Sequence, residues 1–128
     1  MNTVIKTICA VILTNILLPN VSFAEGDALA GADTFKKKCV ICHTVEKDGK
    51  AKIGPNLFGI YNTKAGEADG YNYSKGLIEA NLTWDDATLD AYLLKPRDVV
   101  NKGKMIFVGF KKEQDRQDVI AYLKTLKE

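Results

Sequence analysis

Cys39-Val40-Ile41-Cys42-His43 constrains this chain more than any other feature: two cysteines with two residues between them, followed at once by the only histidine in the sequence. Two thiols at that spacing can add across the two vinyl groups of a protoporphyrin, and a histidine beside the second thiol is placed to ligate the iron. The competing uses of such a pair fit less well. A structural zinc site needs two further ligands, and beyond the N-terminal segment the chain has no other cysteine and no other histidine. A thioredoxin-like dithiol needs strands alternating with helices around the motif, and no such alternation surrounds Cys39 and Cys42.

The third cysteine, Cys9, belongs to a segment of different character. Lys6 is the only charged side chain before Glu25, residues 8–18 are apolar except for Thr14 and Asn15, and Ser22-Phe23-Ala24 places small residues where a signal peptidase reads them. Residues 1–24 are therefore expected to be a secretory signal cleaved after Ala24, with a bacterial periplasm as the destination. A retained membrane anchor is the competing reading, but the apolar run is short of the roughly 20 residues that cross a bilayer. Residues 25–128 are long enough for one compact domain. Of the 18 basic and 16 acidic side chains only Lys6 precedes Glu25, so this region is nearly neutral and gives no basis for a nucleic-acid partner. An exported domain of this size with no disulfide framework needs another source of core, which a large bound cofactor supplies.

The periodicity is helical, with no convincing strand. Asp27 suits an N-cap, after which Ala28, Ala32 and Phe35 share a face and Lys36-Lys37-Lys38 closes a first helix near Cys39. Residues 51–70 hold Gly54, Pro55, Gly59, Gly66 and Gly70 and read as a long loop; a short helical turn follows Ser74. Thr83-Trp84-Asp85-Asp86 resembles a capping box opening a helix through Leu89, Tyr92 and Leu93 as far as Pro96, and a second loop is expected over residues 96–110. A last helix near 112–127 aligns Val119, Tyr122, Leu123 and Leu126, with charges on its other faces. Gly31 would let another backbone approach, so the first and last helices are expected to cross there.

The sixth position on a haem iron decides between electron transfer and small-molecule chemistry. Met105 is the only methionine besides Met1, and it lies in Gly103-Lys104-Met105-Ile106-Phe107. A thioether suits low-spin haem iron and raises its potential relative to a second imidazole. Met105 as an ordinary core residue is the plainer alternative, and lysine or water the alternative ligand. If Met105 were not on the iron, a haem peroxidase or gas-binding cytochrome would be the reading to adopt, although no distal histidine is present to run such chemistry.

Gly31 and Phe35 before the motif, Gly54-Pro55-Asn56-Leu57 after it, Trp84, Tyr92, Lys104-Met105-Ile106-Phe107 and Asp118-Val119-Ile120-Ala121-Tyr122-Leu123 together resemble a class I cytochrome c of the mitochondrial type, including its bacterial relatives. The resemblance spans nearly all of residues 25–128. It implies an all-α, single-domain fold of three main helices, short turns and long loops wrapped around one haem, attached through Cys39 and Cys42 and ligated by His43 and Met105. It further implies that Pro55 offers its carbonyl to His43, that Tyr73 and Trp84 hydrogen-bond the propionates, that Tyr92 sits near the Met105 sulfur and that Phe107 packs at the haem edge. Where mitochondrial relatives commonly carry an arginine and an asparagine, this chain has Thr63 and Leu77, which changes the expected propionate and buried-water surroundings.

By the same resemblance, lysines among Lys36, Lys37, Lys38, Lys50, Lys52, Lys104, Lys111 and Lys112 would ring the exposed haem edge, with Lys38, Lys52, Lys104, Lys111 and Lys112 as the docking set; a solvated surface is the plainer reading. The implied activity is that of a soluble, monomeric one-electron carrier and not an enzyme. Its donor would be a quinol–cytochrome c oxidoreductase. A terminal oxidase, a photosynthetic reaction centre or a soluble reductase would be the acceptor, met in transient contact.

Overall fold

The computed structural model describes residues 25–127; the expected signal segment, residues 1–24, lies outside them. Five helices follow in order: α1 (Ala28–Lys38), α2 (Lys75–Ala80), α3 (Asp86–Leu94), α4 (Pro96–Val99) and α5 (Glu113–Thr125). Among the described residues the only strand-like pairing is an isolated antiparallel bridge between Lys64 and Thr83. The fold is thus all-α, with long irregular segments between the helices.

α1 forms where its sequence signals place it. The Asp27 carboxylate accepts from the backbone N–H groups of Leu29 (2.8 Å) and Ala30 (3.3 Å), two donors that a helix start leaves unpaired. Lys36, Lys37 and Lys38 occupy the last turn, where positive charge complements the helix dipole. Gly31 and Phe35, four residues apart, are its buried positions.

That face packs on α5. A Cβ at Gly31 would stand 1.9 Å from the Asp118 carbonyl oxygen and 2.9 Å from Tyr122 Cβ, so the two backbones touch where a side chain would sit. Phe35 meets the Tyr122 ring at 5.4 Å, and the Asp27 N–H donates to Asp118 Oδ1 at 2.8 Å. The crossing sets the start of the described chain against the first half of α5, where Gly26 lies against the Gln117 carbonyl.

α3 starts later than the capping-box reading placed it. Asp85, not Thr83, is the N-cap, with its carboxylate accepting from the Thr88 N–H at 2.8 Å. Thr83 is held in extended backbone instead: the Trp84 N–H donates to the Thr63 carbonyl, and the Trp84 carbonyl accepts from Asn62. Leu89 and Leu93 are buried on α3 with Tyr92 half-buried beside them, and the helix ends ahead of Pro96. Pro96 then opens α4 from its first position, where its missing N–H costs nothing, so residues 96–110 are not one continuous loop.

α5 also departs from expectation. Val119 and Leu123 are buried as its spacing predicts, but so are Arg116, Gln117 and Asp118 on faces that read as solvated. Each has polar partners: Arg116 and Gln117 bond Asp90 on α3, and Asp118 takes the Asp27 N–H and the Gln114 amide. Buried polar groups paired in this way avoid the cost of stranded donors and acceptors.

Candidate haem site

The attachment motif is a turn continuing directly from α1. Cys39 caps the helix by donating its N–H to the Phe35 carbonyl, and the Cys39 carbonyl then accepts from both Cys42 and His43 at 3.0 Å. This tight turn turns Cys39, Cys42 and His43 toward one cleft, where all three line the wall. Both thiols are free and half-buried. Burial, with a smaller contribution from Cys42, pushes the Cys39 thiol up to about 11.

His43 is held on two sides. Its Nδ1 lies 2.7 Å from the Pro55 carbonyl oxygen. A carbonyl only accepts, so Nδ1 carries the proton and the neutral ring keeps its lone pair at Nε2. Burial keeps the His43 pKa below the ordinary histidine value, outweighing the Pro55 hydrogen bond that raises it. Gly54 lies flat against the imidazole: a Cβ there would come 2.4 Å from Cε1. The Gly54 N–H also donates to the Cys42 carbonyl at 2.8 Å, which ties this stretch to the motif.

Met105 reaches the same cleft from the segment after α4. Exposure alternates along residues 104–108, with Met105 and Phe107 half-buried between exposed Lys104, Ile106 and Val108, so the run is an extended strip with one inward edge. The Phe110 N–H fastens its far end to the Leu93 carbonyl at 2.8 Å, and the Phe107 and Phe110 rings meet edge-on at 4.9 Å. At its near end the Lys104 ammonium donates to the Asn72 carbonyl and lies 5.7 Å from the centre of the Tyr71 ring.

Trp84, Tyr73 and Tyr92 line the cleft as well. The Trp84 and Tyr92 rings pack at 4.9 Å, and burial, with Tyr71 adding to it, pushes the Tyr92 hydroxyl up to about 12. Leu57, Ile60, Leu77, Leu89 and Leu93 supply the apolar wall. Of the docking lysines, Lys38 and Lys104 line the cleft, whereas Lys52, Lys111 and Lys112 are exposed without lining it. Lys52 donates to the Val40 carbonyl at 2.8 Å, within the attachment turn.

Two contributors escaped the sequence reading as site residues. Gly54 counted only as a turn former and family match, although it is the surface against which His43 rests. Tyr71 lines the cleft and donates its hydroxyl to the Ile53 carbonyl at 2.9 Å, bridging to the histidine side. Its place two residues before Tyr73 was the available signal, since alternate residues of an extended segment share a side.

The cytochrome c family profile matches residues 28–127. Cytochrome c of Theileria annulata is 49% identical over 106 residues, covering 83% of this chain and 91% of its own. Cytochrome c of Chlamydomonas reinhardtii is 47% identical over 106 residues, covering 80% and 95%. Cytochrome c2 of Rhodomicrobium vannielii is 47% identical over 104 residues, covering 81% and 82%.

The chain belongs to the cytochrome c family.

It is accordingly an electron-transfer protein and not an enzyme, with one c-type haem attached covalently through Cys39 and Cys42. The cleft of this cytochrome fits that group on observations of its own. Two unpaired thiols share a wall with a histidine whose Nε2 lone pair is left available, and the remaining lining is chiefly aliphatic and aromatic, as a macrocycle requires. Among the described residues no helix is long and apolar enough to cross a membrane.

Proposed function

We propose that His43 and Met105 are the two axial ligands of the haem iron and that the protein works as a six-coordinate electron carrier. The observation that carries this reading is the convergence of Cys39, Cys42, His43 and Met105 on one cleft from segments 62 residues apart in sequence. When bound, the haem supplies reversible one-electron chemistry at its iron. The chain's part is to hold both ligands still. Pro55 and Gly54 fix the His43 ring and its tautomer, and fastening at both ends fixes the Met105 strip. Tyr73 and Trp84 are the proposed donors to the propionates, Tyr92 the neighbour of the Met105 sulfur and Phe107 the residue at the haem edge.

Partner contact is assigned to the cleft mouth. Ile53 and Ile106 are 73% and 89% exposed there, large apolar groups in water beside the ammonium groups of Lys38 and Lys104. Lys52, Lys111 and Lys112 extend the positive charge. Such a rim steers acidic partners and releases them quickly. The proposed donor is a quinol–cytochrome c oxidoreductase, and the acceptor a terminal oxidase, a reaction centre or a soluble reductase. Residues 1–24 are proposed as the export signal to a bacterial periplasm, a setting consistent with a cytochrome c2 among the relatives.

Stopped-flow oxidation by a purified acceptor complex tests the docking reading. The second-order rate should fall roughly tenfold between low and physiological ionic strength, and Lys111→Glu/Lys112→Glu should lower the low-salt rate in the same sense. A rate indifferent to salt and to charge reversal would remove the lysine rim from the mechanism.

A further inference from the structure

Beyond their shared apolar core, α3 and α5 are joined by charged side chains at two places, and only one of them reaches the segment that carries Met105. At the first, Asp86 Oδ1 meets Lys124 Nζ at 2.6 Å, with both side chains about 40% exposed. One helical turn further along α3, Asp90 is the hub of a more buried set. Its Oδ1 accepts from Arg116 Nε at 2.8 Å and from the Gln117 amide at 2.9 Å, and its Oδ2 lies 3.5 Å from Arg116 Nη2. The same guanidinium turns its Nη1 the other way, onto the carbonyls of Phe110 (3.0 Å) and Lys111 (3.2 Å). Arg116 is only 7% exposed, so its four contacts, two to Asp90 and two to the carbonyls, replace its hydration almost completely.

Phe110 and Lys111 are the root of the Met105 strip. Residues 104–109 have no helix or strand of their own, so their position depends on how their ends are held. Just inside the root, Gly109 has φ +91° and lies so close to α3 that a Cβ would stand 1.8 Å from the Leu94 carbonyl oxygen. The Phe110 ring carries the constraint back to Phe107, two residues from Met105 on the same cleft wall. Asp90, Arg116, the two carbonyls and Phe107 therefore form one continuous set of contacts.

The geometry points to Asp90 as a positioning residue for Met105: by orienting Arg116 it pins the root of the methionine strip and sets how readily the thioether leaves the iron. The inference rests on the proposed His43/Met105 ligation. Without the carboxylate, the buried guanidinium and the Gln117 amide lose their shared acceptor. Arg116 then turns toward water, because an unpaired buried charge costs more than the contacts it keeps. Both root carbonyls go free with it, and the strip opens without the rest of the protein unfolding.

The test uses the full haem-carrying ferric protein, with imidazole added in excess and the loss of the long-wavelength thioether–iron absorption band followed in time. At saturating imidazole the rate reports departure of the methionine. Asp90→Asn should raise that limiting rate at least about tenfold, as expected for losing a charged hydrogen bond that only the closed state makes. Arg116→Lys keeps the charge but not the fork that spans both carbonyls, and should move the rate the same way. Asp86→Asn loosens the same two helices at the exposed pair and should change it by no more than about twofold. Rates for Asp90→Asn and Arg116→Lys that stay near wild type, or that match Asp86→Asn, would overturn the positioning role even if both variants melt earlier. A wild-type protein with no thioether band would overturn the ligation reading, and this inference with it.

Discussion

Gly31→Val should destabilise the haem-carrying protein by about 3 kcal/mol, near the upper end for overpacked sites, and lower its melting temperature by roughly 12 °C or more. The new Cβ would stand 1.9 Å from the Asp118 carbonyl oxygen, which is backbone and cannot swing aside as a long side chain could. To restore van der Waals contact, α1 and α5 must part by roughly 1.5 Å, in a protein interior that tolerates little void. That separation breaks the Asp27 N–H to Asp118 Oδ1 hydrogen bond and loosens Phe35 against Tyr122. Gly31→Ala should act in the same direction with a smaller loss, because its methyl presents less volume to the crossing. Thermal and denaturant unfolding of the ferric protein check the pair. A Gly31→Val loss under about 0.5 kcal/mol, the scale of an ordinary surface substitution, would show that the helices do not meet as described.

Cys39→Ala/Cys42→Ala should abolish haem retention under denaturing conditions, and each single substitution should leave one thioether. The consequence extends to the fold. Leu57, Ile60, Leu77, Leu89 and Leu93 all face the cleft, and burying a side chain of this kind contributes about 1.5–3 kcal/mol. Together they represent on the order of 10 kcal/mol, as much as the whole stability of a typical domain. A chain that does not secure the group filling this cleft is therefore expected to keep helical far-ultraviolet circular dichroism while losing the near-ultraviolet signal of fixed aromatic packing. Haem-stained denaturing gels and the two circular dichroism spectra read both effects. Haem that stays with the double variant through denaturation would contradict attachment at these cysteines.

The parts of this molecule that were legible in its sequence are those encoded over a few neighbouring residues. Asp27 followed by Ala28, Gly31, Ala32 and Phe35 carries both the cap and the face of α1. Cys39 to His43 carries the attachment chemistry in five residues, and Ser74 correctly announced a short helix. Met105 was singled out by inventory, having no rival methionine in the region after residue 24, and it does line the cleft that holds Cys39, Cys42 and His43. Thr83 was mistaken for the cap of α3 because threonine and aspartate both cap helices. What separates them is the pairing of residues 62–63 with Trp84, some twenty residues away in sequence. The polar stretch Arg116-Gln117-Asp118 looked like a solvated face for a similar reason. Its partners Asp90 and Asp27 are 26 to 91 residues distant, and no local periodicity announces a buried charge whose acceptor is on another helix. The contact between Gly54 and the His43 ring likewise exists only once the loop has closed over the motif.

The measurement that bears most directly on His43/Met105 ligation is the absorption spectrum of the purified ferric protein at neutral pH, at the long-wavelength edge where thioether–iron coordination absorbs. The band should be present in the intact protein and absent in Met105→Ala, whose iron should then take up added imidazole without having to displace a protein ligand. Absence of the band from the intact protein, or its survival in Met105→Ala, would show that Met105 is not on the iron and would leave the sixth position to another group.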